Sequence, residues 1–92
     1  MFKITMRAGG IDLGVGPEVA EDIENEFKER RPWHKRVTCT FSDGTLTLVA
    51  FNDFDPEGLA LSDEFSDCLS AYIPLGRISD EGVFEVVAAE TV

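Results

Sequence analysis

The sequence has few of the residues from which metal, redox and membrane sites are built. Its 92 residues include two cysteines and one histidine, and Cys39 and Cys68 have neither metal-ligand nor redox-motif spacing. No apolar run is long enough to cross a bilayer, and the first residues lack a signal-peptide pattern. The sequence therefore predicts a cytoplasmic protein with two reduced thiols in its core, no cofactor and no membrane contact.

Basic residues are nearly absent from the second half of the chain. Residues 42–92 hold eleven acidic side chains and one base, Arg77, whereas residues 1–41 hold seven of each sign. The net charge of −10 thus belongs to the second half. Because phosphates would be repelled there, direct binding of DNA through that half is not expected. A protein partner with a basic surface is expected instead.

The clearest local pattern is a β-hairpin at residues 36–51. Asp43 and Gly44 stand between two alternating apolar runs, which predicts a two-residue type I′ turn. The turn sets a register in which the apolar side chains of both strands share one face: Phe41 opposite Leu46, Cys39 opposite Leu48, and Val37 opposite Ala50.

The rest of the chain predicts one α+β domain covering residues 1–92. Residues 2–7 alternate as a strand, a helix begins at residues 16–18 and ends at Pro32, and Ser62 caps a second helix that Pro74 ends. A last strand covers residues 83–89, with Phe84, Val86 and Ala88 on one face. The order βαββαβ predicts a four- to five-stranded, mostly antiparallel sheet with two helices on one face. Among the possible strand orders, a ferredoxin-like topology is preferred. Residues 8–16 form either an extra strand or a glycine-rich loop.

An acidic segment at residues 53–64 resembles an EF-hand calcium loop. Asp53, Asp55 and Glu57 occupy loop positions 1, 3 and 5, Gly58 occupies position 6, and Glu64 occupies position 12. A strand precedes the segment, however, proline stands at position 4, and leucine at position 9 offers no oxygen ligand. An acidic turn before a helix is therefore preferred over a calcium site, and no metal is predicted.

The only basic cluster contains an aromatic residue and the single histidine. Its members are Arg30, Arg31, Trp33, His34, Lys35 and Arg36. Such a mixture could stack a nucleobase and hold phosphate, but the preferred interpretation is that the arginines complement the helix C-terminus while Trp33 covers the edge of the core. The glycines at positions 9, 10, 14 and 16 match no phosphate-binding motif. No acid pair or activated nucleophile is present, so an enzyme is not predicted.

The acidic residues of the second half are predicted to form one negative patch. Its members are Asp53, Asp55, Glu57, Asp63, Glu64, Asp67, Asp80 and Glu81. In size, charge and compact α+β order, the chain resembles the small acidic inhibitors of phages and mobile elements, including anti-CRISPR proteins and DNA mimics. The resemblance implies a stoichiometric inhibitor, a monomer or small homo-oligomer, whose carboxylates occupy a basic nucleic-acid-binding groove on a partner complex. The alternatives are a calcium-binding loop protein, a small structural subunit, or a patch that only confers solubility.

Overall fold

The computed structural model describes residues 1–79 and 81–92. Along these residues the elements are β1 (Phe2–Ala8), α1 (Gly16–Arg30), β2 (Lys35–Ser42), β3 (Thr45–Asn52), α2 (Leu59–Tyr72) and β4 (Phe84–Thr91). The described strands form one antiparallel sheet in the order β2-β3-β1-β4. Each helix therefore joins two parallel strands that are separated by a third, the split βαβ arrangement of ferredoxin-like folds. The predicted α+β class and element order are confirmed.

The central hairpin forms with the predicted turn. Asp43 and Gly44 have φ angles of 49° and 79°, as a type I′ turn requires, and Cys39 opposes Leu48. The register shifts between Lys35 and Thr38, where β2 carries one extra residue. The predicted opposition of Val37 and Ala50 falls in this irregular stretch, although both side chains remain buried.

The hydrophobic core lies between the sheet and the two helices. Alternate residues of β1 and β3 point into it, and Phe27 of α1 and Phe65 of α2 are its largest fully buried side chains. The other face of the sheet is open and rich in threonine. None of the described helices combines the length and apolar character needed to span a membrane.

The structure decides one open alternative, the loop over residues 8–16, and shows that two local expectations were wrong. The segment after β1 is a loop whose Ile11 makes only an isolated bridge to Ile78, so no N-terminal hairpin forms. Helix α2 begins at Leu59 rather than at Ser62, because a side chain in the preceding loop caps it earlier. In β4 the register against β1 shifts at Val87, which turns Ala88 to the open face, away from Phe84 and Val86.

Candidate functional site

The two surfaces predicted separately meet at one carboxylate, Glu64 in the second turn of α2. Its oxygens accept hydrogen bonds from Trp33 Nε1 at 3.2 Å and from Arg31 Nη1 at 3.4 Å. His34 Nε2 lies 3.2 Å from both oxygens. The Glu64 side chain is only 15% exposed, so the prediction that it belongs to an exposed partner-binding patch is not supported by its position. It connects α2 to the segment that follows α1.

A second buried polar residue fixes the orientation of His34. Asn52 Oδ1 accepts the N–H groups of Phe54 and Asp55 at 3.2 Å and 3.0 Å, which leaves Asn52 Nδ2 facing His34 Nδ1 at 3.2 Å. Because Nδ2 can only donate, Nδ1 must accept, and the ring proton lies on Nε2, where it is donated to Glu64. Both ring nitrogens are thus occupied inside the protein, and the ring has no exposed surface. His34 is a structural residue.

Asp55 lies inside the protein rather than on the predicted acidic patch. It is 5% exposed, and its two carboxylate oxygens accept the N–H groups of Ala60 and Leu61 at 3.2 Å and 3.0 Å. These donors belong to the first turn of α2, where backbone N–H groups have no partner within the helix. Gly58 occupies the N-cap position, and Asp55 supplies the capping carboxylate that the sequence pattern predicts at Ser62.

The EF-hand-like arrangement does not form. Asp53 and Glu57 are exposed, Asp55 faces the N–H groups of α2, and Glu64 faces His34. Over residues 1–79 and 81–92, no three His, Cys, Asp or Glu side chains are grouped closely enough to hold a metal ion. The calcium hypothesis therefore has no geometric support.

The basic cluster also separates in space. Arg30 Nε lies 3.7 Å from Glu26, Lys35 Nζ donates to the carbonyl of Pro32 at 3.1 Å, and the Arg36 guanidinium lies over the Phe51 ring on the open sheet face. Arg30 and Arg31 share the carboxylate of Glu26, each at 3.7 Å, whereas Lys35 and Arg36 point elsewhere, so the cluster does not surround one phosphate-sized site. Trp33 and Phe54 remain about half exposed on either side of His34.

The exposed negative charge is concentrated on the helix side of the molecule. Two basic side chains of α1 form ion pairs within the helix: Lys28 lies 2.9 Å from Glu24, and Arg30 lies 3.7 Å from Glu26. Apart from the buried Asp55, eight carboxylates on α1, α2 and the loop before α2 make no ion pair with any described residue. We call them the acidic helix surface: Glu18, Glu21, Asp22, Glu29, Asp53, Glu57, Asp63 and Asp67.

Half of this surface was not expected from the sequence. Along the chain the acids of α1 are balanced by nearby bases, but the Arg31 guanidinium is shared between Glu26 and Glu64, while Lys3, Arg7 and Arg36 belong to the open face of the sheet. The helical spacing of Glu18, Asp22 and Glu29 could have identified one acidic stripe of α1. Among the predicted patch members, Glu81 is exposed beyond the helices, and Asp80 lies outside the described residues.

The two cysteines offer no nucleophile. Both are buried and free, and burial raises the pKa of Cys39 to about 12 and that of Cys68 to about 11. A thiol with such a pKa is protonated at neutral pH and does not attack electrophiles.

Comparison with protein-family models, with curated proteins and with solved structures gives no match to this chain.

Proposed function

We propose that this protein is a small acidic binding module that uses the acidic helix surface to occupy a basic, nucleic-acid-binding surface on a partner protein. It acts by occupancy and not by catalysis. The observation that carries the proposal is the separation of charge between the two layers of the fold. Eight unpaired carboxylates lie on the helix side, whereas on the open sheet face the bases Lys3, Arg7 and Arg36 outnumber the acids Glu85 and Glu90.

This distribution favours association with a basic partner for two physical reasons. A net charge of −10 on a molecule with principal extents of 36 × 25 × 19 Å produces a strong negative potential, which steers cationic surfaces toward it. At contact, carboxylates without an internal ion pair are free to form charge-assisted hydrogen bonds with arginine and lysine. Grooves that bind DNA or RNA present these side chains at high density.

Two aromatic side chains supply an apolar contact beside the charges. Trp33 and Phe54 are each about half exposed, and Phe54 directly follows Asp53 in the chain. Partly exposed aromatic residues next to charged groups are frequent anchors of protein interfaces. Occupation of the groove would exclude nucleic acid from the partner, so inhibition is expected to be stoichiometric.

The test is capture from a lysate of the source organism on the immobilised protein, followed by a salt gradient with and without competing DNA. We expect a nucleic-acid-binding protein to be retained and to be released by DNA or by moderate salt. Retention that is indifferent to both, or no retention, contradicts the proposal.

A pair of charge-matched variants separates a specific surface from net charge. The first carries Asp53→Asn, Asp63→Asn and Asp67→Asn on the acidic helix surface, and the second carries Asp12→Asn, Asp43→Asn and Glu81→Gln, which lie outside both that surface and β4. Both remove three negative charges. We expect only the first to lose the captured partner, whereas equal loss from both would mean that net charge alone governs retention.

A further inference from the structure

The two edges of the sheet are protected to different degrees. The β2 edge is covered by α1: Glu24 Oε1 accepts the outward N–H of Cys39 at 2.8 Å, and the Phe41 ring packs on Gly16. The extra residue near Arg36, which has a φ of 50°, further distorts this edge. Side-chain capping and bulges are devices that prevent another strand from pairing with an edge.

The β4 edge has no such cover. β4 pairs with β1 on one side only, and each of its residues is at least partly exposed. Within the described part of the chain, no side chain or backbone group bonds to its outer side. An edge of eight residues without a partner is long enough to template a further strand.

The hydrogen bonds at both ends of β4 show which backbone groups point outward. The carbonyl of Val83 accepts the N–H of Gly9 at 2.6 Å, and the N–H of Val92 donates to the carbonyl of Met1 at 2.9 Å, so both residues point toward β1. In an antiparallel ladder this direction alternates along the strand. Counting from each end to the irregularity at Val87, the residues with outward N–H and C=O groups are Phe84, Val86, Ala89 and Thr91.

The side chains along this edge define what would pair with it. On the helix side, Phe84 is 42% exposed and contacts Phe65, with Val86 and Ala89 beside it. On the open face lie Glu85, paired on its inner side with Arg7, and Glu90, opposite Lys3. An added strand would thus meet apolar groups on one face and two carboxylates on the other.

A second copy of the chain is disfavoured as the occupant. Two copies of β4 could pair antiparallel along their full length with each side chain kept on its own face of the sheet. In that register Glu85 of each copy lies opposite Glu90 of the other. Like charges opposite each other destabilise a sheet. Each molecule also has a net charge of −10. An acidic strand is disfavoured for the same reasons, whereas a basic strand is attracted.

We propose that the outer edge of β4 accepts an extended basic segment of a partner protein as a fifth strand. Apolar side chains of that segment lie beside Phe84 and Ala89, and its lysine or arginine side chains face Glu85 and Glu90. The interaction uses no residue of the acidic helix surface, so it does not depend on the function proposed above.

The probe is a synthetic decapeptide of alternating lysine and valine, and the measurement is amide hydrogen exchange of the intact protein, resolved by residue. We expect the peptide to slow exchange about tenfold at Phe84, Val86, Ala89 and Thr91, with little change at the outer amides of β2. A glutamate–valine peptide is expected to give no protection. Protection that appears without peptide and rises with protein concentration would identify a second copy as the occupant and overturn the proposal.

Two variants make the test specific. Ala89→Pro removes an outward N–H without removing a bond to β1, and we expect it to abolish protection along β4, while the matched Ala89→Ser retains it. Should the proline variant fail to fold, the double variant Glu85→Lys and Glu90→Lys is expected to reverse the preference from the lysine to the glutamate peptide. If that charge-reversed protein still prefers the lysine peptide, or if protection lies only on α1 and α2, the proposal is wrong. The triple variant of the acidic helix surface should retain strand addition.

Discussion

At the scale of single residues, the sequence did not reveal that Asp55 caps helix α2. Its carboxylate accepts two N–H groups of α2 from a buried position. We expect Asp55→Ala to lower the free energy of unfolding by about 1–2 kcal/mol, because the first turn of the helix loses its acceptor. Urea denaturation measures this. Asp53→Ala, two residues away and exposed, is the control and should change stability by less than about 0.5 kcal/mol; equal losses would contradict the capping role.

The carboxylate of Glu24 gives a pH dependence. Its hydrogen bond from the N–H of Cys39, and secondarily that from Lys28, lowers the pKa of Glu24 below the ordinary 4.5. A carboxyl group whose pKa is lower in the folded than in the unfolded state stabilises the fold above about pH 4.5 and loses that contribution as pH falls through the folded value. We expect Glu24→Gln to flatten the decline of stability between about pH 5 and pH 3 in urea titrations. An unchanged slope would show that the Cys39 bond does not discriminate between the two protonation states.

At the scale of elements, the sequence predicted correctly those features that neighbouring residues determine. The Asp43–Gly44 turn sets the hairpin register through its own backbone conformation, so adjacent residues contain the necessary information. The start of α2 depends on Asp55, whose loop is held in place by Asn52 from the end of β3. The face of Ala88 depends on where β4 docks on β1, some eighty residues away in the chain. No local pattern encodes such a contact.

The contact between α1 and the hairpin provides a test at this scale. A Cβ at position 16 would overlap the Phe41 ring, so we expect Gly16→Ala to destabilise the fold by about 1–3 kcal/mol. In a protein that carries Phe41→Ala, the further change Gly16→Ala should cost less stability than it does in the parent protein, because the obstructing ring is gone. Strictly additive free energies in the thermodynamic cycle would exclude the overlap as the cause. Gly76→Ala, which would place a methyl group with no other atom within 4 Å, tests backbone strain without overlap.

At the scale of the whole molecule, the unpaired carboxylates are concentrated in the helix layer and come from both halves of the chain. Counted along the chain, the acids of α1 cancel against neighbouring bases, but Arg31 also binds Glu64, 33 residues further along. Charge counts along a sequence cannot include pairs that form only when distant elements pack together. Exposure of Asp63 and Asp67 agrees with the sequence expectation, whereas the burial of Asp55 required the tertiary structure.

The concentration of like charge predicts a salt dependence of stability. The carboxylates of the acidic helix surface repel one another, and added salt screens that repulsion. We expect the melting temperature to rise by a few degrees, roughly 2–5 °C, between about 0.02 M and 0.5 M NaCl. The variant with Asp53→Asn, Asp63→Asn and Asp67→Asn should show a smaller rise in the same calorimetric series. If its rise equals that of the parent protein, the repulsion does not arise from this surface.

The strand order also determines how the chain assembles. Residues of the β2–β3 hairpin are neighbours in sequence, whereas β1, in the interior of the sheet, must find β3 about forty residues away and β4 about eighty residues away. Closing longer loops costs more entropy, so the hairpin with α1 is expected to form the folding nucleus and β4 to join last. Substitutions in the hairpin then slow folding, while substitutions in β4 mainly accelerate unfolding. Until β4 joins, β1 is itself an unprotected edge, so a chain that has folded without β4 would expose a more hydrophobic pairing surface than the native protein does.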